Sequence, residues 1–191
     1  MMKATEIPIG ISDEELVMML RSKEHSEAAF SFLVDRYSQK LYAVIRRMVY
    51  RHEDADDILQ NTFIKIWKNI KTFQGKSKLS TWMYSIASNE ALTFLRREKP
   101  ERKLPMTTDE YDLSQLLESD PYFDGNAAEI LFMKAIAELP EKQRLTFELR
   151  YFEDLPYKEI AEITGTSEGA LKANYHHAVK KLKKFMDIDD E

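Results

Sequence analysis

Between residues 27 and 49, apolar side chains fall at Phe30, Leu33, Val34, Tyr37, Leu41, Val44, Ile45 and Met48. Steps of three and four residues are the period of a helix, not of a strand. Two further segments repeat the pattern. Residues 54–72 carry Leu59, Phe63, Ile66 and Ile70 on one face, and residues 80–97 carry Met83, Ala87, Ala91 and Phe94. Five glycines and six prolines leave few turn signals for a many-stranded sheet. The expected fold class is all-α.

Local signals set the remaining boundaries. Ser12 followed by Glu15 is a capping box opening a short helix at 12–22. Pro100 stops the third long helix. The segment it begins, PERKLPMTTDEYDLSQLLESDPYFDGN, is acidic and proline-bearing, a linker with at most a helical turn at SQLLES. Helical periodicity resumes at 127–138 and 140–152. The expected organisation is a short-helix extension at 1–26, a helical domain at 27–99, an acidic linker at 100–126, a second helical domain at 127–186 and an acidic tail at 187–191.

The absence of cysteine excludes disulfides, thiol catalysis and zinc ribbons. No run approaches the ~18 uncharged apolar residues of a membrane helix, and the N-terminus lacks the basic and apolar regions of a signal peptide. A cytoplasmic protein without direct membrane insertion is expected. The formal net charge is -5, but charge is blocked along the chain. Residues 36–52 hold five bases and no acid, 105–129 hold seven acids and no base, and 169–186 hold five lysines and no acid. Local patches, not the mean charge, decide whether a polyanion can bind.

The last basic block belongs to YKEIAEITGTSEGALKANYHHAVKKL, residues 157–182, which reads as helix, tight turn and helix. Gly165 suits the turn and Ser167 the N-cap of the second helix. On a helical wheel Leu171, Tyr175, Ala178, Val179 and Leu182 cluster inward. Gly169, Lys172, Ala173, His176, His177 and Lys180 lie opposite. A helix-turn-helix places such a face in the major groove, and excluding acids suits a surface that meets phosphates. An ordinary solvated lysine face is the plainer alternative. Adjacent helical residues diverge by about 100°, so His176 and His177 do not converge on a metal, and none is expected.

In HEDADDILQNTFIKIWKNI, residues 52–70, the leading acids are accounted for by the helix macrodipole. Ile64 and Trp67 sit beside the core stripe, flanked by Asp57, Gln60 and Asn61. They form either a partner surface or part of the core. Residues 73–97 pair a basic loop, with Lys76 and Lys78, with a helix presenting Trp82, Ser85, Asn89 and Arg96 in one row. Trp82 can stack an unpaired base or pack against Tyr42 or Tyr84. On these residues alone a dimeric helix-turn-helix activator, or an enzyme using the Asp54–Asp57 acids with a metal, stays open.

The strings DADDILQNTFIKIW, STWMYSIASNEALTFLRR and LPEKQRLTFELRYFEDLPYKEIAEITGTSEGALK, in this order and around an acidic linker, resemble the extracytoplasmic-function sigma factors of bacterial RNA polymerase. The resemblance covers about residues 27–99 and 127–185. It implies a sigma region 2-like bundle and a sigma region 4-like helix-turn-helix, with no catalytic activity and no cofactor. It implies core RNA polymerase, duplex and melted promoter DNA, and an anti-sigma factor (membrane-anchored in some cases) as partners. Asp57, Gln60, Asn61, Ile64 and Trp67 would dock on polymerase. Lys76, Lys78, Trp82, Asn89 and Arg96 would serve the minus-ten element and its melting. Tyr157, Gly169, Lys172, Ala173, His176, His177 and Lys180 would meet the minus-thirty-five element. Relatives often carry Ser-Arg where this chain has Ala173-Asn174, and arginine where it has His177. Without those guanine-reading forks, the helix is expected to lean on phosphates, histidine contacts and shape.

Overall fold

The computed structural model describes residues 7, 10–98 and 125–187, and among these every regular element is helical. The first domain is built from α1 (Asp13–Arg21), α2 (Ser26–Val49), α3 (His52–Asn69) with a closing 3-10 turn at Ile70–Thr72, and α4 (Leu79–Glu98). The second has α5 (Ala127–Ala137), α6 (Glu141–Phe147) running into a π-helical turn at Glu148–Phe152, α7 (Tyr157–Thr164) and α8 (Glu168–Phe185). Residues 100–124 of the segment read as a linker, with the turn expected at SQLLES, lie outside the described residues.

Each start has a local cause. Ser12 accepts the Glu15 amide at 3.2 Å while the Glu15 carboxylate takes the Ser12 amide at 3.0 Å, the reciprocal box expected from the sequence. Asn126 and Glu129 make the same arrangement at α5. α2 ends at Tyr50, held in the left-handed region with φ 62°, and Arg51 then caps α3. With so short a connection, α2 and α3 must fold back on each other as a hairpin. They do, and α4 packs against both.

Leu33, Leu41, Val44, Ile45 and Met48 of α2, Ile58 and Ile66 of α3, and Met83, Ala87 and Ala91 of α4 are buried together. Removing one of the large aliphatic side chains costs about 2–5 kcal/mol in such a site. α1 belongs to this core rather than hanging from it. It buries Leu16, Val17 and Leu20, and Arg21 binds the carbonyls of Ile70 and Phe73 at the far end of α3.

The second domain has a small core of its own: Ala135, Ile136, Leu139, Phe147, Ala178 and Leu182. Its other buried side chains point elsewhere. Leu145, Leu149, Ile160, Ile163 and Leu171 join the first domain's cluster, because α7 lies along α4. The two domains therefore share one apolar seam.

Candidate nucleic-acid interface

On α3, Asp57, Gln60, Asn61, Ile64 and Trp67 are all exposed and fall along one side of the helix. The opposite side buries Ala55, Ile58, Thr62, Phe63 and Ile66. Ile64 keeps 43% and Trp67 40% of their surface in solvent, although Trp67 also sets its ring edge-on to Phe30 at 4.8 Å. Trp67 is thus braced by the core and yet presents part of its aromatic face to solvent. A cavity of about 420 Å³ opens beside it, with Arg21, Lys23, Lys68 and Lys71 in its wall.

The loop before α4 turns at Gly75, whose φ of 68° only glycine adopts without strain. Lys76 and Lys78 are exposed on it. Trp82 is half-buried, and its partner is Phe73, with ring centroids 5.1 Å apart. The ring neighbours named from sequence, Tyr42 and Tyr84, are otherwise engaged. Tyr42 contacts His52, and the buried Tyr84 hydroxyl donates to Glu153 at 2.8 Å. Sequence periodicity could not show that the loop folds back to place Phe73 under Trp82. Asn89 and Arg96 are exposed further along the same row.

The helix-turn-helix forms as its residues dictate. Gly165 ends α7 at φ 66°, donating its amide to Ala161 at 2.9 Å. A Cβ at this position would meet nothing within 4 Å, so the demand for glycine lies in the backbone alone. Ser167 accepts the Ala170 amide to open α8. Leu171, Ala178 and Leu182 turn inward, while Gly169, Lys172, Ala173, His176, His177 and Lys180 are exposed. Tyr157, at the start of α7, lies between Arg150 and Lys172, whose cations sit 5.5 and 5.8 Å from its ring centre. This fixes one aromatic and two positive groups at the head of the exposed face of α8. Among the described residues no group of three or more His, Cys, Asp or Glu side chains could hold a metal ion.

One feature escaped the sequence reading. Glu148, wholly buried in the π-helical turn, accepts from Arg47 Nε of α2 at 2.7 Å, and the same guanidinium reaches Glu153. Burial pushes the Glu148 carboxyl up to about 7 against the opposing pull of Arg47. Its Oε1 has no hydrogen-bond partner. The available signal was a glutamate standing on the apolar stripe of Leu145 and Leu149, one residue from a leucine. Two further pairs join the domains, each an exposed cation on a largely covered carboxylate. Lys78 Nζ meets Glu159 at 2.5 Å, with Thr81 donating to the same carboxylate at 3.2 Å, and Arg96 meets Glu141 at 2.7 Å.

Residues 33–101 match Sigma-70 region 2 and residues 129–182 match Sigma-70 region 4. The chain is 31% identical to the ECF RNA polymerase sigma factor SigW of Bacillus subtilis, covering 85% of this chain and 91% of that protein. It is 32% identical to the ECF RNA polymerase sigma-E factor of Haemophilus influenzae, covering 91% and 94%. Its fold resembles the sigma factor RpoE in complex with the anti-sigma factor NepR from Bartonella quintana, with a TM-score of 0.68, 23% identity, and 84% and 98% of the two chains covered. It also resembles CnrH in complex with the cytosolic domain of CnrY, with a TM-score of 0.69, 21% identity, and 93% and 99% covered.

Proposed function

The chain belongs to the extracytoplasmic-function sigma factors of bacterial RNA polymerase, and from that premise we propose how its surfaces divide the work. It is a promoter-recognising transcription initiation factor that acts with core polymerase on promoter DNA. In our reading the polymerase supplies the chemistry, and this chain supplies the address and the strand opening.

Ile64 and Trp67, with Asp57, Gln60 and Asn61 around them, dock on polymerase, since an aromatic and an aliphatic group with polar neighbours form an anchor for a protein partner. The loop carrying Lys76 and Lys78, with Trp82, Asn89 and Arg96, takes up the melted strand. Here cations meet phosphates, and the Asn89 amide hydrogen-bonds an unstacked base. α8 enters the major groove of the upstream element through Lys172, Ala173, His176 and His177, with Tyr157, Gly169 and Lys180 beside them. Two linked contacts on one promoter raise avidity through effective concentration. An anti-sigma protein, membrane-anchored in some settings, is a further partner, and the cytoplasm is the place of action. Support for these comes from the anti-sigma complexes of two proteins with this fold, and no described helix is long and apolar enough to cross a membrane.

The observation that carries the reading is the face of α8: exposed, capped by Ser167, and free of acids from Gly169 to Met186. Run-off transcription with purified core polymerase on a panel of genomic promoters tests it. Specific transcripts should appear only when the chain is added. A chain that binds promoter fragments but never programmes core polymerase would instead be an autonomous activator.

A further inference from the structure

The cavity beside Trp67 has a wall at odds with the acidic chain around it. Arg21, Lys23, Lys68 and Lys71 line it, and among the described residues that do so there is no aspartate or glutamate. Lys65, Lys78 and Arg96 each end on a carboxylate, but Lys23, Lys68 and Lys71 make no such pair among the described residues. Like charges gathered around one hollow repel one another, and a cleft walled by one sign of charge concentrates the opposite ion. Helix dipoles favour Arg21 and Lys68 in the last turns of α1 and α3. They do not require both helix ends to close on one cavity together with Lys23 and Lys71.

Two of the wall groups are held in place. Arg21 binds the carbonyls of Ile70 and Phe73 through Nε and Nη2, which fixes its guanidinium and leaves Nη1 to donate. Trp67 is braced edge-on by Phe30, so the exposed part of its ring is a fixed platform. Leu20 and Ile70, each 2% exposed, close the hollow from the core side. Its volume of about 420 Å³ lies in the range of small-molecule pockets and is far more than one inorganic phosphate occupies.

We propose that this cavity binds a nucleoside polyphosphate, with the base against Trp67 and the phosphates among Arg21, Lys23, Lys68 and Lys71. An aromatic ring accepts any base by its face, and guanidinium and ammonium groups meet phosphate oxygens through charge-assisted hydrogen bonds. The Ser26 hydroxyl in the same wall is a donor for sugar or phosphate. A single DNA strand carries the same two chemistries, but it spreads its phosphates one per base, whereas here four cations surround one ring. Trp67 also belongs to the proposed polymerase dock, so a seated ligand would oppose core binding. That consequence rests on the docking reading; the site itself does not.

Calorimetry on the full-length chain tests the site, with ATP, GTP, inorganic tripolyphosphate and adenosine as probes. A triphosphate nucleotide should bind at one site about tenfold more tightly than tripolyphosphate, and adenosine should bind least. Lys68→Ala with Lys71→Ala should lose at least about tenfold. Lys40→Ala with Lys142→Ala, an equal change of charge elsewhere, should lose little; all four positions are exposed, so the fold is kept. Equal loss in both double variants, or tripolyphosphate binding as tightly as the nucleotides, overturns the proposal. So does a mixed-sequence single-stranded oligonucleotide that needs Lys68 and Lys71 while neither nucleotide binds, which would make the cavity part of the melted-strand path. Saturating nucleotide should also weaken binding of core polymerase to the wild type but not to the Lys68–Lys71 variant. Core binding that is unchanged while the nucleotide stays bound overturns the shared use of Trp67 alone.

Discussion

Along α8, Lys172, His176, His177 and Lys180 face solvent, whereas at the head and tail of α4 the cations Lys78 and Arg96 end on carboxylates of the opposite domain. Both surfaces have the chemistry for a polyanion, cations interleaved with aromatic or amide groups. They differ in whether a carboxylate already engages their cations. Duplex DNA can meet α8 as it stands. At α4 a polyanion would compete with Glu159 and Glu141 for Lys78 and Arg96, cations that remain more than half exposed.

The largest expected effect bears on the buried Arg47–Glu148 pair, which joins the domains that carry the two surfaces. Arg47→Met leaves Glu148 buried without its cation, and breaking such a pair from one side costs about 3–5 kcal/mol. Urea denaturation should show that loss, or an early transition as the domains separate. Arg47→Met with Glu148→Leu should regain most of it, since an apolar pair can replace a buried ion pair. A double variant as weak as the single one would remove Glu148 from the account.

Base reading on the open face comes next. Lys172→Ala and His176→Ala should each lose about 1–3 kcal/mol on the preferred upstream sequence and change that preference when a promoter library is selected. They should leave opening of a pre-melted template untouched. Asn89→Ala should do the reverse, with a defect on duplex promoters that a pre-formed bubble relieves, because the unstacking cost is already met. Equal defects of all three variants on both templates would erase the distinction between the faces.

Proton linkage gives a finer probe of the Arg47–Glu148 pair. Burial raises Glu148 to about 7 from an ordinary 4.5, and parting the domains would return it to water. The closed state thus holds the proton more tightly. Its advantage from this group is complete below the ordinary value and is lost as pH rises through 7. The groups facing Glu148 are Arg47 from α2, Arg144 from α6, Glu153 and Tyr50. Domain separation followed by scattering should therefore increase from pH 5 to pH 8, and Glu148→Gln should flatten the trend. The smallest effect falls at the trailing end of the open face. Lys180→Ala should weaken all duplex sequences alike and lower the salt slope by about 0.9, one phosphate contact.

Much of this was legible in the sequence because it is local. The α2 stripe from Leu33 to Met48, the Ser12–Glu15 box, the Gly165 turn and the Ser167 cap are each settled by a few neighbouring residues, and each forms as read. Periodicity says which side of a helix is apolar but not what covers it. Ile160 and Ile163 of α7 join the cluster of the first domain, a partner that no local pattern names. Trp82 was matched with the wrong aromatic for the same reason, its true partner Phe73 lying across a loop. Glu148 went unnoticed because a glutamate on an apolar stripe gains meaning only when an arginine 101 positions earlier reaches it.

The central claim is that α4 and α8 meet different parts of one promoter, and engaging both at once changes the distance between the two domains. The absence of native cysteine makes this directly measurable. Donor and acceptor dyes placed through Gln39→Cys on α2 and Lys181→Cys on α8, both at exposed positions, report the distance between the domains. Energy transfer should be high for the free chain and fall when core polymerase and a forked promoter are added together. Transfer that is the same before and after the open complex forms would contradict the account.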